Sequence, residues 1–200
     1  MTLPIILASQ SPRRIALLKD IGLRFRVVQP SYMEEMSLDM APASLAKYLS
    51  LKKAQSVFTT FNHHIVIGAD TLVVLKNQVL GKPITPQKSM EMLKAISNQC
   101  IKVITGFTVI HPHQTVSKSV TTHVFIKPLS TTDIKTYVAT GEPLDKAGAF
   151  AIQGRGAWLI RKIEGDYLNV VGLPVLALCK VLTLFFPSHL RALQQVHKPL

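Results

Sequence analysis

The sequence predicts an α/β fold in which a mixed, mostly parallel central sheet carries flanking helices and a smaller second lobe forms a cleft. Three observations lead there. The runs at Leu3–Ala8 and Ile65–Gly68 are apolar throughout, as in strands buried on both faces. Helix-start signals follow such runs in alternation along the chain. Two neighbouring stretches with strand pattern form a hairpin region.

Leu3–Ala8, the first strand, runs into Ser9-Gln10-Ser11-Pro12-Arg13-Arg14, where a helix starts. Ser11 supplies a capping hydroxyl, and Pro12 fits the first helical position, which needs no N–H. Ile15, Leu18 and Ile21 share one face until Gly22 stops the helix. Phe25–Val28 reads as the next strand, an irregular segment holds Glu34 and Glu35, and a long helix runs from about Ala43 to Phe58. Ile65–Gly68 is a buried strand with Asp70 at its C-terminal end, and the chain stays extended to Leu75 before a Lys76-Asn77-Gln78 turn. Thr85-Pro86 repeats the cap-then-proline signal for a helix to Ile96. Ile101–Ile110 and Val116–Ile126 carry strand pattern around a His-Pro-His-Gln tip. Ser130 with Asp133 forms a capping box for a helix that stops at Gly141. Ala157–Ile163 is the last strand, and a packed helix follows Pro174. The chain reads as one domain over 1–200, with Thr85–Thr140 as the candidate second lobe.

Two hundred residues can bury a core without a metal or disulfide staple. At 48% hydrophobic against 17% charged, the chain is not a disordered polyelectrolyte. The excess of 23 basic over 11 acidic residues gives a net charge of +12, which attracts phosphate-bearing partners. No basic run exceeds two residues, which disfavours a nucleic-acid arm. Cys100 and Cys179 form no CxxC pair and are expected to be reduced, buried thiols in the cytoplasm. The N-terminus lacks the basic region of a secretory signal. The apolar segment Leu173–Phe186 is interrupted by Lys180 and falls short of the ~20 residues a spanning helix needs, so no membrane partner is expected.

Arg13 and Arg14 stand in a helix's first turn, where the dipole already favours an anion; a phosphate site explains that placement better than a solvated pair. Asp70 is the only carboxylate between Asp39 and Glu91, at a strand end where α/β sheets place ligands, although a turn cap with Thr71 is an equal reading. Gly81-Lys82-Pro83 fixes Lys82 more than an ordinary surface lysine, whereas Lys53 on its helix carries little weight alone. Glu34 and Glu35 read as a solvated pair unless a divalent cation gathers them with Asp70. In Asp145–Gly156, three glycines allow close backbone approach to a ligand, and the Gln153 amide both donates and accepts.

Taken together, LASQSPRR at Leu7–Arg14, IGADTLV at Ile67–Val73, LGKP at Leu80–Pro83, GEPLDKAGAFAIQGRGA at Gly141–Ala157 and VVGLP at Val170–Pro174 resemble the Maf family. The resemblance is collinear over nearly the whole chain. It implies a Maf/ITPase-like fold and a cytoplasmic, metal-dependent nucleoside triphosphate pyrophosphatase that releases the monophosphate and pyrophosphate. It makes Asp70 the proton acceptor for the attacking water, puts Arg14, Lys53 and Lys82 on the phosphates, and gives Ser9 a place in substrate binding. Asp70 with Glu35, or Glu34, would hold a divalent cation, Mg2+ or Mn2+. Arg13, Thr71 and Gln153 resemble the dTTP/UTP type of the family. The resemblance further implies a role in cell-division arrest and in keeping non-standard nucleotides out of nucleic acids, and it allows a homodimer. It departs from the family at Asn98, where Gly is usual, and at Ile101, where His is common. The reading from another class is a non-catalytic basic protein that binds nucleic acid or a division-machinery partner.

Overall fold

The computed structural model describes residues 3–32 and 38–185, Phe185 by its backbone alone. The helices and strands read from the sequence occur in the expected order, with short elements added between them. Strand β1 (Ile5–Ala8) leads into helix α1 (Pro12–Asp20), and β2 (Arg26–Val28) precedes α2 (Pro42–Phe58). Then come β3 (Ile65–Leu75), β4 (Gln78–Leu80), α3 (Pro86–Ile96), the hairpin β5 (Cys100–His111) and β6 (Gln114–Ile126), and α4 (Thr131–Ala139). Short 3-10 turns at Glu142–Asp145, Ala147–Ala149 and Gly154–Leu159 bring the chain to β7 (Ile160–Glu164), α5 (Tyr167–Val171) and α6 (Val175–Phe185).

The three helix starts read from the sequence form as expected. Ser11 accepts from the Arg14 N–H, Thr85 from the Lys88 N–H, and Ser130 with Asp133 closes a reciprocal capping box. Asn98, in the usual place of a glycine, has φ +55°, a conformation asparagine tolerates better than most residues.

Among the described residues seven strands form one mixed sheet in the order β2-β1-β3-β5-β6-β7, with β4 on β3. The β2-β1-β3 part is parallel, and the expected parallel character holds for that half. The remaining pairings are antiparallel, because β5 and β6 are joined by a tight hairpin and β4 folds straight back on β3. The hairpin, within the segment read as a second lobe, thus pairs into the central sheet.

Alternation along the strands divides the core into two layers. Ile6, Ala8 and Val66 meet Ala54 and Val57 of α2, while Leu72, Val74 and Ile104 meet its Leu45, Ala46 and Leu49. Ile5, Leu7, Ile67, Val103 and Phe107 face the opposite way, onto α1, α3, α4 and α6. Close approach fixes α2 to its face: a Cβ on Gly68 would lie 2.4 Å from the Ser50 carbonyl oxygen, and one on Gly106 2.1 Å from that of Ala46. Only glycine leaves room for the helix backbone at these two points.

Four local expectations are corrected. Asp70 is internal to an unbroken strand, because β5 pairs with β3 continuously from Val66 to Val74. Ala157–Leu159 belong to a 3-10 turn, and β7 starts at Ile160. Gln78–Leu80 forms a strand that the expected turn over Lys76–Gln78 overlaps only at Gln78. Cys100 is exposed, since it opens β5 on the pleat that faces solvent while Ile101 turns inward; Cys179 is half-buried, and both are free. No helix among the described residues is long and apolar enough to cross a membrane.

Candidate active site

One edge of β3 is only partly covered. The β1 ladder ends where Ala8 meets Gly68, and the β4 ladder begins at Val73, so Ala69–Leu72 have no strand beside them on that edge. Successive side chains point to opposite faces of a strand. At this gap Asp70, on the α2 face, and Thr71, on the other, nevertheless border the same cleft of about 1060 Å³.

The cleft gathers every described residue that the sequence assigned to a site: Ser9, Arg13, Arg14, Lys53, Asp70, Thr71, Lys82 and Gln153. Glu34 and Glu35 lie outside the described residues. Asp70 is 6% exposed, and Lys53 Nζ donates to its Oδ1 at 2.5 Å. The fourth turn of α2 delivers that ammonium, held over the sheet by the close contacts at Gly68 and Gly106. A helix lysine with little weight in the sequence is therefore the buried partner of the candidate base.

Arg14 is a brace as well as a cation. Its Nε donates to the Gly172 carbonyl at 2.9 Å, Nη1 to Ser9 Oγ at 3.3 Å and Nη2 to Thr71 Oγ1 at 3.0 Å. It thereby joins the loop after β1, strand β3 and the turn after α5. Arg13 and Lys82 are exposed at the cleft. The Lys82 loop is anchored to the glycine-containing segment by Gly148 N–H to Gly81 O at 3.0 Å and Ile84 N–H to Leu144 O at 3.1 Å.

Electrostatics favour an anion. Arg13, Arg14, Lys53, Lys82 and Lys146 line the cleft against Asp70, Glu142 and Asp145. The Lys146 ammonium beside Asp145 holds that carboxyl below its usual range, with a smaller contribution from Arg13. Deeper in, burial and then the Glu142 carboxylate push the Tyr137 phenol up. Sequence reasoning gave no role to Glu142, Thr105 or the Gly172 carbonyl. Glu142 and Gly172 sit in the GEPLDKAGAFAIQGRGA and VVGLP runs, but Thr105 carries no signal beyond its place opposite Thr71.

The family model for Maf-like proteins matches residues 4–185. The chain belongs to the Maf family. Among curated Maf-type relatives, the dTTP/UTP pyrophosphatase of Methanosarcina mazei is 48% identical over 181 residues, 89% of this chain and 92% of that protein. That of Dictyoglomus turgidum is 45% identical over 184 residues, 90% and 95% of the two chains. The Halalkalibacterium halodurans protein of the same description is 42% identical over 172 residues, 86% and 90%. Among solved structures, the Staphylococcus aureus Ham1 protein aligns with this Maf chain at TM-score 0.45 and 16% identity, over 62% of this chain and 71% of that one.

Proposed function

We propose that this protein is a nucleoside triphosphate pyrophosphatase that hydrolyses dTTP and UTP to the monophosphate and pyrophosphate. The observation that carries the reading is the buried Lys53–Asp70 pair opening onto a cleft lined by arginines and lysines. Relatives at 42–48% identity that carry this activity in their names support the substrate class.

Asp70 accepts the proton of a water whose oxygen bonds to the α-phosphorus. The bond from that phosphorus to the α–β bridging oxygen breaks, and pyrophosphate leaves. Charge on the phosphate oxygens is met by Arg14, Lys53 and Lys82, which act before and during bond breaking. Ser9 fixes the Arg14 guanidinium. Arg13, Thr71 and Gln153 read the base.

The donor chemistry of the cleft fits a divalent cation, because a magnesium-type ion is commonly held by one or two carboxylates together with substrate phosphates. Asp70, with Glu35 or Glu34, would hold Mg2+ or Mn2+; when bound it neutralises phosphate charge. The same reading places the protein in the cytoplasm, with roles in excluding non-standard nucleotides from nucleic acids and in cell-division arrest, and permits a homodimer.

The test is to incubate the purified protein with UTP, dTTP, CTP, ATP and 7-methyl-GTP in the presence of Mg2+ and identify the products. Monophosphate and pyrophosphate from UTP and dTTP are expected. Release of orthophosphate, or no turnover with tight DNA binding at physiological salt, overturns the reading in favour of a basic binding protein.

A further inference from the structure

Behind the cleft wall a chain of hydroxyls runs from Arg14 into the sheet, and its proton direction is fixed by what its last member can do. Thr71 and Thr105 face each other across β3 and β5, their hydroxyl oxygens 3.0 Å apart. Thr105 is wholly buried and lies 3.0 Å from the main-chain carbonyl of Asn169. A carbonyl only accepts, so the Thr105 proton is committed there and Thr105 meets Thr71 as an acceptor. Thr71 therefore donates inward. The other carbonyl in reach, Gly172 O, is 3.4 Å away and already takes the Arg14 Nε–H at 2.9 Å.

From the cleft side Arg14 Nη2 donates to Thr71 Oγ1 at 3.0 Å, and a guanidinium cannot accept. A hydroxyl has one proton and two lone pairs. The proton and one lone pair are spent, so what Thr71 can offer a ligand is a lone pair.

The end of the chain is held rigidly. Asn169 Nδ2 donates to Val103 O and to Thr122 Oγ1, both at 3.0 Å, and Asp166 Oδ1 accepts the N–H groups of Leu168 and Asn169. Helix α5 is thus pinned to β5 and β6, and the Asn169 carbonyl with it.

We propose that Thr105 is a positioning residue that makes Thr71 an acceptor towards the cleft, selecting a base that presents a ring N–H. Uracil and thymine present one; the corresponding nitrogen of cytosine is itself an acceptor and would set two lone pairs against each other. The inference rests on the reading of this cleft as a nucleotide site.

Thr105→Val keeps the shape but removes the inward acceptor, so the Thr71 proton is shared between the distant Gly172 carbonyl and the cleft. Steady-state kinetics with UTP and CTP, on the wild type, Thr105→Val and Thr105→Ser, test this. The UTP-over-CTP ratio of kcat/KM is expected to fall about three- to tenfold in the valine variant, mainly through KM for UTP, and to stay within about twofold of wild type in the serine variant. An unchanged ratio, or equal losses on both nucleotides, overturns the proposal and leaves Thr105 a packing residue. If Thr105→Val does not fold, Thr105→Ala takes its place with the same expected fall, and an unchanged ratio there overturns it equally. A wild type that hydrolyses neither nucleotide overturns the functional reading and this inference with it; an active wild type with an unchanged ratio removes only the role of Thr105.

Discussion

Lys53 Nζ donates to Asp70 Oδ1 at 2.5 Å with side-chain exposures of 11% and 8%, so the helix layer and the sheet layer are joined by a buried ion pair at the cleft. Two charges taken from water at that depth stabilise the fold little by their mutual attraction, but each is costly to leave alone. The pair therefore reads as a device that keeps a carboxylate aimed at the cleft, beside the proposed phosphate site.

Asp70→Asn preserves shape and an amide oxygen for Lys53 but removes the proton acceptor. We expect kcat to fall by ~10²–10⁴ while the far-ultraviolet circular dichroism stays native. A folded Asn variant with near-normal turnover would remove Asp70 from the mechanism.

Lys53→Met leaves the Asp70 carboxylate buried without its cation, and should destabilise the protein by about 3–5 kcal/mol as well as abolish turnover. The double variant Lys53→Met with Asp70→Asn should recover much of that stability and none of the activity. Urea unfolding of the two singles and the double checks the cycle: purely additive losses would mean the pair is not coupled.

Gly106 lies opposite Asp70 in the β3–β5 register, beneath α2. In Gly106→Ala the new Cβ would meet the Ala46 carbonyl at 2.1 Å, so the helix must lift. Overpacking of this kind costs about 1–3 kcal/mol or more, and here it also withdraws Lys53 from Asp70. A lowered Tm accompanied by lost turnover is expected; full activity would show that α2 need not sit this close.

Much of this arrangement was legible in the sequence, and the reasons differ by residue. Caps and prolines act within four residues, so Ser11-Pro12, Thr85-Pro86 and Ser130 with Asp133 located their helices directly. Asp70 stood out because a lone carboxylate in an apolar run is expensive without a purpose. Its position inside the strand was hidden, since Gly68-Ala69-Asp70 looks like a strand end until β5 is known to pair along it. The resemblance put Lys53 on the phosphates, but its pairing was illegible for a deeper reason: Asp70 is 17 residues away on another element, and nothing in a helix's own periodicity marks a lysine that points into the sheet. Thr105 was silent for the same reason, as were β4 and α5, which are too short to carry a period.

Exposed and braced cations should separate experimentally. Arg13 and Lys82 are exposed, so Arg13→Ala and Lys82→Ala should reduce kcat/KM about ten- to hundredfold with unchanged Tm, the worth of a charge-assisted contact of roughly 1.5–3 kcal/mol. Arg14 ties Ser9, Thr71 and Gly172 together, so Arg14→Ala should lower both kcat/KM and Tm. Thermal melts beside kinetics decide this, and an unaltered melting point for Arg14→Ala would refute the bracing role.

Gln153 borders the cleft between Ile152 and Gly154, and the proposed function gives it the base. A uracil or thymine edge offers two carbonyl acceptors around one N–H; Thr71 takes the N–H, and the Gln153 carboxamide donates to a flanking carbonyl. A carboxylate has acceptors only. Gln153→Glu therefore loses its donated bond and sets an oxygen against a pyrimidine carbonyl, while it suits the adjacent N–H donors of a guanine edge. An unpaired polar contact of this type costs about 1–3 kcal/mol, so kcat/KM for UTP and dTTP should fall roughly five- to hundredfold. The thymine methyl and the ribose hydroxyl lie outside the contact, so both nucleotides should suffer alike. Kinetics with UTP, dTTP and 7-methyl-GTP on the wild type and the variant provide the check: unchanged pyrimidine efficiency would place the base elsewhere in the cleft and withdraw Gln153 as a specificity residue.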